Sequence, residues 1–350
     1  MNLYQQAERF RSELLRGERT AAMRVTRAYG ELYRRLSAEI DRTMARVRAA
    51  RSRGESSPAA VTRVAQLERL RAQVAAEVLR FAREAEPVIA AQAEAAATMA
   101  NDQARVLIDL ATPPGVSVEL GDLPRQAVLH VVSSTQPQTV LGQLLQAIGP
   151  ETAQRMADAL AGGIAAGHNP VQIAREMRHV ARLPLSRALT ISRTEVMRAW
   201  RESSREAYRR ASDVVTGWVW WSALDRTTCP SCWAQHGSVH RADEMMATHP
   251  NCRCVMLPQT RSWRELGFDG PEPTPPADGP SRFARLPVSV QRQILGPSKF
   301  EAYRRRQVAL ADFVGHRRDP RWGPSTSEAS LRDARENARR RRARTERAAA

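Results

Sequence analysis

The sequence has a single lysine, few aromatic residues and no long apolar run. Lys299 is the one lysine among 54 basic residues, and phenylalanine, tryptophan and tyrosine together make up 5% of the 350 positions. Such a preference for arginine is typical of a GC-rich coding genome, so it does not by itself indicate bidentate phosphate recognition. No stretch approaches the roughly 18 consecutive apolar residues of a membrane-spanning helix. We therefore expect no membrane partner.

Acidic residues are few relative to basic ones, which leaves a formal net charge of +17 at pH 7. An excess of this size indicates an acidic partner, most naturally nucleic acid. Residues 331–347 concentrate the charge, with eight arginines against three acidic residues. We expect non-specific contacts with phosphates from Arg339, Arg340, Arg341, Arg342 and Arg344. The alternative is a tail that only keeps the protein soluble.

Only four cysteines are present, and all of them lie between Cys229 and Cys254 together with three of the seven histidines. A C-x2-C pair presents two thiolates to one ion, and a second Cys/His cluster about twenty residues later completes a tetrahedral shell. Disulfides are typical of short secreted chains, and the first residues show no signal-peptide pattern. We therefore expect a metal site with zinc as the ion. Two disulfides, or simply buried cysteines, are the alternatives.

More candidate ligands are present than a tetrahedral site needs. Cys252 and Cys254 are two positions apart, so a local turn would help both to reach one ion. Four protein ligands make a closed, structural site, because a catalytic zinc keeps one position open for water. The motifs of zinc deaminases and of H-E-x-x-H metalloproteases are absent, so we predict no enzymatic activity. The predicted ligands are Cys229, Cys232, His249, Cys252 and Cys254, with His236 as an alternative.

The pattern of apolar residues predicts a mainly α-helical protein with a small α+β Cys/His module similar to a zinc ribbon. Apolar residues at every third or fourth position predict a long N-terminal helical hairpin that turns near Ser57 and Pro58. This hairpin either docks on partner chains or forms a plain helical bundle. Residues 217–225 predict a strand that leads into Cys229, and residues 255–257 predict a strand that pairs with it. Residues 116–132 are compatible with strand or loop.

Three motifs occur in a fixed order that is more specific than any one of them. They are Ser192-Arg193-Thr194-Glu195 on a helix, Leu224-Asp225-Arg226-Thr227-Thr228-Cys229-Pro230-Ser231-Cys232, and His249-Pro250-Asn251-Cys252-Arg253-Cys254. In this order they resemble the phage Mu F-like family of minor head proteins over about residues 143–258. The resemblance makes Arg193, Thr194 and Glu195 the signature helix, and the cysteines with His249 the metal or structural cluster. From its position alone, Glu195 is a helix-surface carboxylate in an ion-pair network with Arg198 and Arg201.

The resemblance implies a structural minor head (minor capsid) protein of a tailed bacteriophage. Such a protein would be present in a few copies in the virion, inside the capsid at the portal vertex, and in the host cytoplasm during assembly. Its partners would be the portal protein, the major capsid or scaffold protein, and packaged double-stranded DNA, which it would contact non-specifically. It would aid head assembly and the packaging or ejection of DNA.

Two other functions remain as alternatives. One is a metal-dependent nuclease or processing factor that acts on DNA during packaging, with His236, His240 or Glu244 as the general base. The other is a DNA-binding module with no role in the capsid.

The predicted division of the chain is a partner-docking helical hairpin at 1–112, a head-morphogenesis domain at 113–260 with the Cys/His cluster at 229–254, a Pro-rich linker at 261–283, a short helical extension at 284–318, and an extended, disordered basic arm at 319–350.

Overall fold

The structure is a computed structural model that describes residues 1–54, 64–116, 118, 120–121, 141–319 and 323–349. The predicted turn at Ser57 and Pro58 and most of the stretch 116–132 lie outside these residues. The chain divides into two compact units. The first unit comprises Met1–Leu15, Glu94–Gln136 and Met197–Ala350, and the second comprises Arg16–Ala93 and Pro137–Val196.

The described residues are mostly helical with a small β region, which confirms this part of the predicted fold class. The helices are α1 (Leu3–Ser52), α2 (Val64–Ala111), α3 (Leu141–Gln146), α4 (Ile148–Ala165), α5 (Pro170–Val180), α6 (Leu183–Arg210), α7 (Pro230–Gln235), α8 (Gly279–Ala284), α9 (Val288–Leu295), α10 (Pro297–Arg304) and α11 (Leu331–Ala349), with a 3-10 turn at Leu310–Phe313. The strands are β1 (Val215–Trp221), β2 (Val239–Arg241), β3 (Val255–Thr260), β4 (Val314–Asp319) and β5 (Gly323–Glu328).

The second unit is helical, and its core is the apolar face that the sequence pattern predicts. Leu32 and Leu36 on α1 and Val78 on α2 are completely or almost completely buried. At the edge of this face, Nε of Arg35 on α1 lies 2.6 Å from Oε2 of Glu77 on α2. The apolar stripe of the N-terminal helices is therefore covered within this chain, as the plain bundle alternative requires.

The first residues of helix α5 explain where this helix begins. The Asn169 side chain accepts a hydrogen bond from the backbone N–H of Gln172 (2.9 Å), and Oε1 of Gln172 accepts one from the N–H of Asn169 (3.2 Å). Pro170 follows at the first helical position, where its missing N–H costs no hydrogen bond. This reciprocal cap satisfies two backbone donors that the first turn of a helix leaves without partners.

The first unit contains a three-stranded antiparallel sheet in the order β2-β1-β3. In its register Trp218 faces His240 on β2, while Val219 faces Leu257 on β3. Both predicted strands are present, with bounds that differ by a few residues from the prediction. A Cβ atom at Gly217 would lie 2.1 Å from the carbonyl oxygen of His240, so the pairing of β1 with β2 depends on glycine there.

The C-terminal part of the first unit has its own apolar core. This core includes Trp233, Phe283, Phe313, Ala334 and Ala338. The prediction of an extended, disordered arm is therefore wrong for the described part of 319–350, where β5 pairs with β4 and α11 packs on the core. The prediction relied on the high charge of this segment and overlooked Ala334 and Ala338. These two alanines are four positions apart, so they lie on one face of a helix.

Helix α7 contributes to two cores of the first unit. Cys232 belongs to the core beside the three-stranded sheet, and Trp233 belongs to the C-terminal core. A Cβ atom at Gly279 would lie 1.7 Å from the carbonyl oxygen of Trp233, so the start of α8 approaches α7 more closely than any other residue type permits. In the part of the chain that the structure describes, no helix has the length and apolar character to cross a membrane.

Candidate metal centre

The first half of the Cys/His cluster is the start of helix α7. Cys229 has extended backbone angles and caps the helix, and its Sγ accepts a hydrogen bond from the N–H of Cys232 (3.4 Å). Pro230 occupies the first helical position. A proline there fixes the turn, because its φ angle is already helical. The C-P-S-C sequence therefore folds locally into a turn that brings two sulfur atoms to one side.

The second half is the loop that leads into β3. The N–H of Cys252 donates to the carbonyl oxygen of His249 (3.2 Å), and Asn251 between them has a φ of 65°. Asparagine tolerates this left-handed conformation better than most residues. The resulting turn reverses the chain between His249 and Cys252, two of the predicted ligands.

The two halves bring thiols and an imidazole into contact. His249 Nε2 lies 3.3 Å from Sγ of both Cys229 and Cys232, and the Sγ atoms of Cys232 and Cys252 are 3.8 Å apart. The ligand atoms of Cys229, Cys232 and His249 lie within 4.8 Å of one another, and so do those of Cys232, Cys252 and Cys254. All four cysteines are free, so the structure does not contain the two disulfides of the alternative interpretation.

These separations fit a tetrahedral zinc ion. Zn–S bonds of about 2.3 Å and Zn–N bonds of about 2.0 Å place neighbouring ligand atoms roughly 3.5 to 3.8 Å apart. The donor set is also suitable, because thiolate and imidazole are the usual protein ligands of zinc. The cluster could therefore hold a metal through residues that the sequence pattern selected.

The hydrogen bond of the other imidazole nitrogen orients His249. Its Nδ1 lies 2.8 Å from the carbonyl oxygen of Pro250, which can only accept. Nδ1 therefore carries a proton, and Nε2 faces the sulfur atoms. A hydrogen bond of this kind commonly fixes the ring of a metal-binding histidine.

Crowding makes the pKa values of the cluster diverge. The hydrogen bond from Cys232 lowers the pKa of Cys229 to about 5, although burial acts in the opposite direction. The same contacts, together with those to the other two thiols, raise the pKa of Cys232. Burial lowers the pKa of His249, but contacts with the thiolates of Cys229 and Cys252 more than offset this and raise it to about 11. When thiols lie this close together, the negative charge of one thiolate raises the pKa of its neighbours unless a cation compensates that charge.

Arg201 on α6 holds the second half of the cluster through backbone groups. Its Nε donates to the carbonyl oxygen of Cys254 (2.9 Å), Nη2 to that of Cys252 (2.8 Å) and Nη1 to the Thr248 hydroxyl (3.0 Å). The arginine side chain is buried, with an exposed fraction of 3% for the residue. Sequence reasoning assigned it to an ion-pair network with Glu195 and missed this role.

Asp225 links the two halves from the outside. Its carboxylate accepts two hydrogen bonds from Arg253, both 2.8 Å long, and further bonds from Thr227 and Thr228. Burial raises the pKa of Asp225, but the bonds from Arg253 and Thr227 outweigh it and hold this pKa well below its usual range. The aspartate and threonines before Cys229 thus connect to the arginine between Cys252 and Cys254.

Comparison with models of known protein families finds a match within this region. Residues 154–257 match the family model described as Phage Mu protein F like protein. The chain therefore carries a phage Mu F-like region. This match confirms the resemblance seen in the three motifs. No curated protein and no solved structure matches the chain.

The signature helix of the Mu F-like region has a structural setting in the second unit. Nη2 of Arg193 lies 3.0 Å from Oε2 of Glu18, which is buried on α1. The Thr194 hydroxyl donates to the carbonyl oxygen of Thr190 (2.6 Å). Glu195 is buried, with an exposed fraction of 6%, so the expectation of a surface carboxylate is wrong. The face of α6 that carries these residues is turned inward.

Of the other residues considered in the Mu F-like region, His236 lies outside both groups of metal-ligating atoms within the described part of the chain. Its Nδ1 accepts a hydrogen bond from the N–H of Ser222 (3.0 Å). Burial lowers the pKa of His236 to about 4, so this imidazole is neutral near pH 7. His236 was the alternative metal ligand in the sequence analysis. In the structure it bonds to the backbone of Ser222 and belongs to neither group of possible ligand atoms.

His240 and Glu244, considered as general bases, bond to each other in the Mu F-like region. His240 Nδ1 lies 2.9 Å from Oε1 of Glu244, and its Nε2 lies 2.9 Å from the Ser238 hydroxyl. The imidazole also stacks on the Trp218 ring, with 4.1 Å between the ring centroids. Both imidazole nitrogens of His240 thus contact side chains of the same segment, and neither His240 nor Glu244 belongs to the groups of metal-ligating atoms found among the described residues.

The Arg193–Glu18 pair of the Mu F-like region gives an asymmetric prediction. We expect Arg193→Ala to lower the free energy of unfolding by about 2 kcal/mol, less than for a fully buried pair because a third of the arginine side chain is exposed. Glu18→Gln should cost less, because the arginine left behind can still reach water. Urea unfolding followed by circular dichroism measures both, with Arg209→Ala at an exposed pair as the control. Equal losses for Arg193→Ala and Arg209→Ala would contradict the assignment.

Proposed function

We propose that this chain is a structural minor head protein of a tailed bacteriophage, located in the virion at the portal vertex. The observation that supports this is the family match over residues 154–257, which includes the signature helix and the whole Cys/His cluster. The portal protein, the major capsid protein or a scaffold protein would be its partner, and the chain would act during head assembly and the packaging or ejection of DNA. A few copies per particle are sufficient for such a role.

We propose a structural zinc ion held by Cys229, Cys232, His249 and Cys252. In support, their ligand atoms form an unbroken series of contacts, while the Cys254 thiol donates to the Ser222 hydroxyl (3.3 Å). Such a set of four protein ligands leaves no position for water. The ion would therefore act as a cross-link between α7 and the loop before β3, and would not act as a catalyst.

We also propose that packaged double-stranded DNA is a non-specific partner. The net charge of +17 supports this, and so does the exposure of most of the arginines on α11. Some of these arginines form ion pairs within the chain. Arg339 and Arg340 pair with Glu336, and Arg341 pairs with Asp312, so their charges are partly compensated within the chain.

The location is tested by mass spectrometry of purified procapsids and mature virions of the phage that encodes the chain. We expect a few copies per particle in both, relative to the major capsid protein. Particles from a phage with the gene deleted, mixed with lysate that contains the protein, control for adsorption. Absence from both procapsids and virions would refute the proposal.

A further inference from the structure

A groove in the C-terminal part of the first unit is lined by arginines from two separate segments. Its volume is about 570 Å³. Arg304 is the last residue of α10, Arg306 lies in the turn after it, and Arg341 and Arg342 come from α11. The remaining lining residues are Val288, Gln291, Tyr303, Val308 and Ala309. None of the described lining residues is acidic, so the groove concentrates positive charge.

Two of the four arginines are fixed by contacts inside the chain. Arg341 forms two hydrogen bonds of 3.0 Å with the buried carboxylate of Asp312. Nη2 of Arg342 donates to the carbonyl oxygens of Arg306 (3.0 Å) and Gln307 (3.2 Å). Neither bond uses Nε or Nη1 of Arg342. These bonds attach α11 to the turn after α10 and form the groove.

Arg304 and Arg306 are exposed and, within the described residues, form no ion pair with an acidic side chain. The guanidinium of Arg304 lies 6.0 Å from the centre of the Phe300 ring. In contrast, Arg305 between them bonds to Glu301 (2.8 Å) and does not line the groove. Alternate arginines in one turn thus differ in whether their charge is compensated.

The backbone of Arg306 adopts a conformation that usually favours glycine. Its φ is 54°, and the turn is closed by bonds from the N–H of Arg306 to the Tyr303 carbonyl (2.9 Å) and from the N–H of Gln307 to the Ala302 carbonyl (3.0 Å). This is the arrangement that ends many helices, where glycine avoids the steric cost of a side chain. An arginine here keeps a long cationic side chain at the groove despite that cost.

We propose that Arg304, Arg306 and Arg342 form a binding groove for the backbone phosphates of duplex DNA. The guanidinium group suits this ligand, because it donates several hydrogen bonds in a planar fork that matches phosphate oxygens. Duplex DNA carries a negative charge about every 1.7 Å along its axis, so it needs a positive surface longer than one groove. The other arginines of α11 extend the positive surface beside the groove. The inference rests on the proposed DNA contact, and it adds Arg304 and Arg306, which lie outside the set predicted from the sequence, to Arg342, which belongs to that set.

The test compares two double variants of the full chain with equal loss of charge. Arg304→Ala with Arg306→Ala removes two groove arginines, whereas Arg305→Ala with Arg209→Ala removes two ion-paired arginines outside the groove and outside α11. Fluorescence anisotropy with a 30-base-pair duplex is measured at several salt concentrations. We expect the groove variant to bind at least about tenfold more weakly and to lose about 1.8 from the slope of log K against log salt, or 0.9 for each phosphate contact. The control should change by less than about threefold.

Three results would overturn the proposal. Equal losses in both double variants would mean that total charge alone determines binding, and no loss in the groove variant would mean that DNA binds elsewhere. If inorganic phosphate shifted the arginine side-chain NMR signals of the groove while DNA affinity stayed independent of Arg304 and Arg306, the ligand would be free phosphate. Arg304→Glu, at an exposed position, repeats the test if the double variant fails to fold. Detection in particles is a separate measurement, so failure of the groove leaves the virion location intact.

Discussion

Cys232→Ser is expected to remove the zinc ion and to destabilise the first unit by several kcal/mol. Cys232 is buried and belongs to both groups of ligand atoms, with His249 Nε2 at 3.3 Å and Cys252 Sγ at 3.8 Å. A serine hydroxyl is a poor zinc ligand and would leave the remaining thiolates close together without a cation. Structural zinc contributes about 10–16 kcal/mol of binding free energy in small peptides, so even part of that contribution is a large fraction of the stability of a domain.

Metal content measured by inductively coupled plasma mass spectrometry gives the direct result. We expect about one zinc per wild-type chain purified under reducing conditions, and less than about one tenth of that in Cys232→Ser, in line with a four-ligand site. Tryptophan fluorescence during urea unfolding gives the stability, because Trp218, Trp220 and Trp233 lie in the affected cores.

Cys254→Ser is the matched control, since it removes a buried thiol that we place outside the ligand set. It should retain nearly one zinc per chain, whereas Cys252→Ser should not. Equal loss of zinc from these two variants would contradict the proposed ligands and would favour a set that includes Cys254. A wild-type chain that binds neither zinc nor another divalent ion would contradict the metal site altogether.

Arg201→Ala is expected to have the second large effect, although Arg201 is not a candidate ligand. Its loss would leave the carbonyl oxygens of Cys252 and Cys254 without donors in a buried environment. Each such carbonyl costs about 1–3 kcal/mol, so we expect a decrease of about 3 kcal/mol in the free energy of unfolding. Zinc affinity should fall about 10-fold to 100-fold, as for other residues that position metal ligands.

Competition with a chromophoric chelator measures the zinc affinity, and urea unfolding measures the stability. Arg201→Lys should recover little of either, because an ammonium group cannot reproduce three bonds that diverge in one plane. Arg209→Ala, two turns further along α6 and exposed, should leave both quantities unchanged. Unchanged zinc affinity in Arg201→Ala would show that the loop before β3 keeps its shape without the arginine.

The cluster was predictable because its information is local. The ligands occupy two short segments, and the strand before Cys229 and the strand after Cys254 both show in the residue types. The turn at Asn251 is likewise a matter of neighbouring residues. Sequence patterns describe such short-range structure well, since hydrogen bonds within three or four positions determine it.

Arg201 and Glu18 show what sequence reasoning could not predict. The bonds of Arg201 reach residues 47 to 53 positions away, and the partner of Glu18 is 175 positions away. One signal for Arg201 was present, because Met197, Trp200 and Tyr208 place it on the buried face of α6. A cation on an apolar face indicates a buried partner, but it does not identify which residue that is.

The error over α11 has a related cause. A high density of arginine normally indicates a solvated segment. Among the described residues of α11, Ala334 and Ala338 are buried and Leu331 packs against the same core. Alanine contributes little to an apolar pattern, so the sequence hides this face of the helix. The partners that cover these alanines, such as Phe313, lie in elements whose position the sequence does not reveal.

Helix α7 joins two cores that the sequence suggests are separate. The Pro-rich segment 261–283 divides the sequence, yet Cys232 and Trp233 are consecutive residues that insert into cores on the two sides of that division. Six residues of helix cannot lose their order in one core and retain it in the other. We therefore expect the described residues from β1 to α11 to unfold as a single cooperative unit, in which loss of order at the cysteines also removes the order of the C-terminal groove.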